Sequence, residues 1–385
     1  NDYIKEQNEY WYKKIYKNEK ISFLKIFKNK IDLDQFPGKN FWKNVLKKIQ
    51  LDDHSSNKKL KSLGQEIRKN VVIRHLGISS NKIKFLEHSF GHIAYAYCSG
   101  KFYGEDSYVA SVDAFGDFVN YSAYHFKKNN KNKVIFNKII SGQNSIIARL
   151  YRYTTLLLNM KPNEHEYKLM GLAPYCKPKY MQSLFNEFKK LQIVKKKVFY
   201  DINLPKDSYF YFKKLYNGYR FDSIAGALQK YTEFLLSKWI SNIINPKKTK
   251  KLCIAGGVAM NVKANLEISK LDSVNEIYVP PTPDDTSQSI GACYAFCLKN
   301  GIKSYPLNNA YLGYEISNKK INKIIKRKDF KSNFSIIKKN ITHSAINMLL
   351  KNKIIGVCRG KAEFGARSLG NRSIICNPGN LDNIR

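Results

Sequence analysis

Long apolar runs are missing from this chain. No stretch approaches the roughly 18 uninterrupted apolar residues of a membrane-spanning helix, so a membrane is not an expected partner. The first segment, NDYIKEQNEYWYKKIYKNEK, lacks the charged, apolar, small-residue order of a signal peptide. Cysteine is sparse and odd in number: seven residues, at 98, 176, 253, 293, 297, 358 and 376, with no CxxC. That excludes a disulfide miniprotein, and Cys293/Cys297 at helical spacing read as core packing rather than half a zinc site. A reducing, cytoplasmic setting fits. No repeat of solenoid period is visible. Acidic residues are few, 30 against 67 Lys and Arg, a net +37. A charge of that size is one mark of a nucleic-acid binder. Here the excess is mostly Lys, spread from end to end among Asn, Ile, Tyr and Phe, as an AT-rich genome produces. It therefore reads as compositional drift, and nucleic acid is not an expected partner. The basic surface still favours phosphorylated substrates.

What is present is enough for a packed core. With 43% hydrophobic and 13% aromatic residues over 385 positions, wholesale disorder and collagen-like fibres are excluded, and the length suits two domains. The chain opens on Asn1 and stops at Arg385 without a finished pattern, so it reads as a fragment. Residues 1–70 are Lys-rich, with a helical stretch at Phe41 to Ile49. From Val71 the pattern is α/β. A short strand at Ile83–Phe85 precedes a helix from His88 to Cys98. A hairpin follows, Tyr108–Asp113 turning at Phe115-Gly116-Asp117 into Phe118–His125. Residues 144–160 and 223–245 read as helices, the second with Ile224, Leu228, Tyr231, Leu235, Trp239 and Ile243 on one face. Strands at Lys251–Ala255 and Glu276–Val279, a helix from Ser287 to Leu298, a linker at 302–315 and a strand at Ile354–Cys358 complete the pattern.

Five motifs bear chemistry. His88 and His92, at i and i+4 on a helix, project from one face and can reach one metal ion; two His plus a carboxylate is an open-site set favoured by Fe(II), with Zn or Mn as alternatives. Asp113 to Asp117 (DAFGD) forms a strand-turn unit able to cradle a phosphate or hold a metal-bound water, or serves as a plain β-turn. Gly256-Gly257 ends an apolar strand and opens a helix, a geometry that suits an anion or close packing. Asp284-Asp285 is a helix cap or supplies the carboxylate that completes the His pair. The segment 360–373, GKAEFGARSLGNRS, joins Gly with Lys361, Arg367 and Arg372, a composition suited to phosphate or adenylate.

In this order the motifs resemble the NodU/CmcH/TobZ family of O-carbamoyltransferases. The strings are EHSFGHIAYAY (87–97), DAFGD (113–117), HEYKLMGLAPYC (165–176), AGGVAMN (255–261), PDDTSQSIGAC (283–293) and RGKAEFGARSLGNRSI (359–374). The likeness covers about residues 71–385. Departures from the family strings fall at Ala114, His165, Cys176 and Ala366, and nothing in residues 1–70 matches the family's opening strand and phosphate loop.

The resemblance implies an α/β, actin/Hsp70-like (ribonuclease H-like, duplicated) domain over residues 1–305. Residues 306–385 would be a linker and the beginning of an α/β YrdC-like adenylate-forming domain. It implies that carbamoyl phosphate and ATP, with Mg, form carbamoyl-adenylate, whose carbamoyl group passes to a hydroxyl of a sugar-containing acceptor. His88, His92 and Asp285 would hold Fe(II) or another divalent metal; Asp285 is preferred because it lies six before Gly291. Asp113, Gly116, Asp117, Glu166, Lys168, Gly256, Gly257 and Asn261 would face a nucleotide. Lys361, Arg367, Asn371, Arg372 and Ser373 would belong to the adenylate-forming site. The rival expectations are a tRNA threonylcarbamoyl-transferase-like enzyme and a non-catalytic actin-like nucleotide-binding module.

Overall fold

The computed structural model describes residues 65–66, 69–70, 72–73, 76–129, 133–205, 208–337 and 340–384. The helix expected at Phe41 to Ile49 lies outside them. The chain divides into two compact units between Ser304 and Tyr305.

In the first unit, helix α1 (His88–Cys98) precedes three antiparallel strands, β1 (Ser107–Gly116), β2 (Val119–Lys128) and β3 (Val134–Gly142). Helices α2 (Ile147–Leu157), α3 (Glu166–Leu172) and α4 (Pro178–Lys189) follow, then a small hairpin of β4 (Gln192–Lys195) and β5 (Val198–Asp201). Helix α5 (Ser208–Leu215) and the long α6 (Phe221–Ile243) lead to β6 (Lys251–Ala255). Helix α7 (Val262–Ser269), strand β7 (Glu276–Tyr278) and helix α8 (Gln288–Asn300) close the unit. The main sheet has the order β3-β2-β1-β6-β7, with β6 parallel to both β1 and β7. A parallel pair needs a long crossover, which the helices between β3 and β6 supply.

Side-chain alternation along β2 assigns the two faces. Tyr121 meets Trp239 of α6 edge-on at 5.7 Å, whereas Phe126 stacks on Tyr97 of α1 at 4.1 Å. The apolar stripe expected on α6 is its buried face, from Ile224 to Ile243. Replacing the fully buried Trp239 by Ala would cost about 3–5 kcal/mol by the usual toll of large core deletions. On the opposite face α1 and α8 approach through two glycines: a Cβ on Gly291 would lie 2.5 Å from the Gly91 carbonyl oxygen.

Two expectations need correcting. Ile83–Phe85 forms no strand: Ile83 is extended, but the segment pairs with no strand among the described residues, and Phe85 is exposed. The hairpin reverses one step later than expected, at Asp117 and Phe118, whose φ values of 51° and 65° define a two-residue turn that leaves Gly116 paired with Val119. Helix α8 lies where it was expected, to within two residues at each end: a short 3-10 turn, Asp285–Ser287, leads into it, and Gly301 in the left-handed conformation stops it.

The second unit carries α9 (Asn318–Ile325), capped by the Ser317 side chain, then α10 (Lys328–Asn333) and α11 (Ile341–Leu350). Its antiparallel hairpin pairs β8 (Ile355–Cys358) with β9 (Arg372–Ile375), and the Gly/Arg-rich segment forms the long connection between them.

Candidate metal centre at the sheet edge

The parallel strands β1, β6 and β7 all end at the same sheet edge, where α/β proteins gather ligands. Helix α1 begins there. The His88 amide donates to the Asp117 carboxylate at 2.9 Å, so the hairpin turn holds one of the helix's otherwise unpaired N–H groups. One turn of helix then sets the His88 and His92 rings 4.9 Å apart, edge to face.

Two carboxylates meet this pair. Asp113, near the end of β1, sets Oδ2 3.1 Å from His88 Nε2 and 3.5 Å from His92 Nε2. Its other oxygen accepts the Gly257 N–H at 3.0 Å. That amide is in reach because Gly256 sits at φ 86°, where a Cβ would lie 2.3 Å from the Val112 carbonyl oxygen. Asp285, from the loop after β7, sets Oδ1 3.2 Å from both Nε2 atoms. Its neighbour Asp284 instead caps the following turn, accepting the Thr286 amide at 3.1 Å. The Gln288 side chain donates to the His88 carbonyl at 3.1 Å, tying α8 to the start of α1.

The donor set passes a geometric test for one cation. Ligands about 2.0–2.2 Å from an ion, at tetrahedral or octahedral angles, stand about 3.0–3.5 Å apart. The four nitrogen–oxygen separations are 3.1, 3.2, 3.2 and 3.5 Å, and all four ligand atoms lie within 4.8 Å of one another. Two imidazoles with two carboxylates is a donor set suited to Fe(II), Zn or Mn. His92 has no exposed surface and Asp113 is 12% exposed, whereas Asp285 is 69% exposed; the cluster has a closed floor and one open side.

Without an ion, the cluster couples its charges. Hydrogen bonds donated to Asp113 and then to Asp285 push the His88 imidazole up to about 10. Burial disfavours a charged His92, but the same two carboxylates outweigh it and raise its pKa. Burial of Asp113 is overcome by His88 and His92, which hold it far below the ordinary carboxylate range; the same two imidazoles hold Asp285 at about 2.

Asp113, read in the sequence as facing a nucleotide, stands in the His cluster. Gly116 makes room for an imidazole: a Cβ there would lie 2.3 Å from His88 Cδ2. The Asn261 amide is buried in a network with Gln229 and Tyr151 and caps α7 through the Ala264 N–H. Glu166 accepts the Asn163 amide at 2.7 Å, and the exposed Lys168 lies 6.0 Å from the Tyr167 ring. In the second unit, Arg372 donates to the carbonyls of Arg359, Gly360 and Asn371, Asn371 donates to that of Lys361, and Ser373 accepts the Gly370 amide. Lys361 and Arg367 are exposed. The organiser of this loop is Glu363, which the sequence reading passed over; it accepts the amides of Leu369, Asn371 and Arg372. Desolvation would raise its pKa, but those three N–H groups hold it below the ordinary range. An acid inside a run of Gly and Arg was the available signal.

Two family models match the chain, Carbamoyltransferase N-terminus over residues 2–294 and Carbamoyltransferase C-terminus over residues 346–384. An uncharacterized protein of Methanocaldococcus jannaschii, MJ1058, is 29% identical over 77% of this chain and 51% of its own length. Nodulation protein NolO of Bradyrhizobium diazoefficiens is 25% identical over 77% of this chain and 54% of its own. The chain thus spans about half the length of these curated relatives. The activator of 2-hydroxyisocaproyl-CoA dehydratase from Clostridium difficile, solved with ADPNP, aligns at a TM-score of 0.32 and 12% identity over 62% of this chain and 81% of that one. A likeness that weak carries no argument.

Proposed function

Because the chain belongs to the carbamoyltransferase family, a family of transferase enzymes, we propose that its protein is an ATP-dependent O-carbamoyltransferase. With one water, it converts carbamoyl phosphate and ATP into carbamoyl-adenylate, phosphate and pyrophosphate, and it transfers the carbamoyl group to a hydroxyl of a sugar-containing acceptor. The observation that carries this reading is the convergence of His88, His92, Asp113 and Asp285 on one point at the sheet edge. The first unit would be the actin/Hsp70-like part; its antiparallel meander extended by two parallel strands supports that assignment. The second would begin the YrdC-like, adenylate-forming part.

His88, His92, Asp113 and Asp285 would hold a divalent metal, with Fe(II) the preferred identity. When bound, the ion supplies Lewis-acid stabilisation of the oxyanion that develops at the carbamoyl carbonyl. The chain's own residues do the rest. His92 and Asp113 close the floor against water, and Gly257 orients the Asp113 carboxylate through its amide. Asp285 stands on the open side, where donor and acceptor enter. A bond forms between the acceptor oxygen and the carbamoyl carbon, the bond from that carbon to the adenylate oxygen breaks, and AMP leaves as the hydroxyl loses its proton. In the second unit, the exposed Lys361 and Arg367 would meet phosphate oxygens, while Asn371, Arg372 and Ser373 shape the backbone around them. The sequence likeness of residues 255–261 and 165–176 supports a nucleotide near Glu166, Lys168 and Gly256.

Metal analysis of the purified protein and its His88→Ala variant tests the site. About one equivalent of metal, lost in the variant together with transfer of label from radiolabelled carbamoyl phosphate to a panel of nucleotide-sugars, is the expected result. Metal retained in full by His88→Ala overturns it.

A further inference from the structure

Two consecutive backbone amides hold the two acids of the cluster. The Gly257 N–H donates to Asp113 Oδ1 at 3.0 Å, and the Gly256 N–H donates to the Pro283 carbonyl at 2.7 Å, just ahead of Asp285 in the chain. The short 3-10 turn that follows Gly256, Gly257–Met260, is thereby tied to both β1 and the loop after β7. Where this turn lies sets how far apart the two carboxylates stand. Its own bonds, from the Ala259 N–H to the Gly256 carbonyl and from the Asn261 N–H to the Val258 carbonyl, close the turn but do not fix its place.

Its place is fixed from the far end. Asn261 ends the turn and caps α7, its Oδ1 accepting the Ala264 N–H at 3.0 Å, while Asn265 of α7 donates to the Ala259 carbonyl at 2.7 Å. The Asn261 Nδ2 group donates to Gln229 Oε1 at 2.9 Å and to the Tyr151 hydroxyl at 3.1 Å. Gln229 Nε2 returns a bond to Asn261 Oδ1 at 3.0 Å and gives another to Glu233 at 2.7 Å, and the Tyr151 hydroxyl donates to Gln229 Oε1. Every N–H and O–H of these three side chains is thus paired. The Ala264 N–H can only donate and an ionised Glu233 only accept, so neither carboxamide can turn over. All three side chains are buried, and Gln229 follows Leu228 on α6, where a Leu or Met would pack with no polar group to satisfy. A buried network in which every member is paired specifies one geometry.

We propose that Gln229 and Tyr151 are positioning residues for the His/Asp cluster: they lock Asn261, and through it the turn after Gly256, so that adjacent glycine amides clamp Asp113 and the loop of Asp285 at one separation. The consequence for a bound ion rests on the metal-centre reading above; the clamp itself does not.

The experiment compares Gln229→Met and Tyr151→Phe with Trp239→Phe, a trim of the core about 15 Å further along α6 that controls for general loss of stability. In metal-free protein, amide exchange at Gly256 and Gly257 is read by NMR relative to the Cys253 amide of β6. Exchange at both glycines should be about tenfold faster in Gln229→Met and about threefold faster in Tyr151→Phe, which keeps the Asn261–Gln229 pair, and unchanged in Trp239→Phe. Co(II) is the metal probe, because its visible bands report ligand geometry. In Gln229→Met those bands should shift and Co(II) affinity should fall about tenfold, while Trp239→Phe moves neither. Glycine exchange unchanged in Gln229→Met, or quickened as much by Trp239→Phe, overturns the proposal. So does quickened exchange with Co(II) bands and affinity like those of the unaltered protein, since the turn would then not position the ligands. Should Gln229→Met fail to fold, Tyr151→Phe decides by the same criteria. Quickened glycine exchange in a protein whose unaltered form takes up no Co(II) supports the clamp and sinks the metal centre, so the two failures are distinct.

Discussion

At the sheet edge four polar side chains direct their donor atoms at one another; in the connection between β8 and β9, polar side chains at similar density turn onto the backbone that carries them. In the first place strands and a helix from distant parts of the chain hold the groups in register around one point that a single cation would share. In the second, Glu363 and Arg372 gather amides and carbonyls within a span of about a dozen residues, so a loop is given a shape. The two regions therefore fail differently when altered: one loses a ligand, the other a conformation.

The sharpest way to break the comparison is at the adjacent acids. Asp285→Asn should lower affinity for the divalent metal about 100-fold or more in chelator competition, since a direct ligand counts for at least as much as the outer-shell partners that cost 10–100-fold. Asp284→Asn, whose carboxylate caps a turn, should leave that affinity unchanged; equal losses would mean the wrong acid had been chosen. Next in size is Gly116→Ala. Its Cβ would collide with the His88 ring, and a metal affinity about tenfold lower is expected with secondary structure intact by circular dichroism.

A pH experiment sharpens the same contrast. In metal-free protein His88 titrates near 10 rather than 6.5, so its pairing stabilises the fold fully below about pH 6.5 and is lost as pH rises through about 10. Asp285, held at about 2 rather than 3.8, contributes above pH 3.8 and loses its contribution as pH falls through about 2. Thermal midpoints of the metal-free protein should therefore peak between about pH 4 and 6.5. Metal binding at pH 7 should release protons, measurable by calorimetry in buffers of different ionisation enthalpy; a buffer-independent heat would contradict it.

The smallest effect belongs to the loop. Glu363→Gln keeps the shape and removes the charge, so amide exchange at Leu369, Asn371 and Arg372 should quicken severalfold while metal content stays constant. Because the Glu363 carboxyl is held below its ordinary range, protection of those amides in the unaltered protein should survive through pH 4.5 and fall only under more acidic conditions.

Local periodicity alone carried a good part of this molecule. The pairing of His88 with His92 follows from helical spacing, the buried stripe of α6 from its 3.6-residue repeat, and strand β6 from a short apolar run ahead of two glycines. These depend on neighbours within a turn or two, and such neighbours are written side by side. What the chain order does not display is distance across the sheet. Asp113 read as part of a phosphate cradle, or as the holder of a metal-bound water, because its motif is a strand and a turn; only the parallel pairing of β1 with β6, and of β6 with β7, carries it to the same edge as Asp285. Gly116 read as a backbone approach to a ligand, and tertiary packing made it the space for an imidazole. Ile83–Phe85 had the composition of a strand and lacked a partner among the described residues. A ligand set assembled from α1, β1 and the loop after β7 spans nearly two hundred residues, and the register of hydrogen bonds between strands is what brings its ends within 3.5 Å.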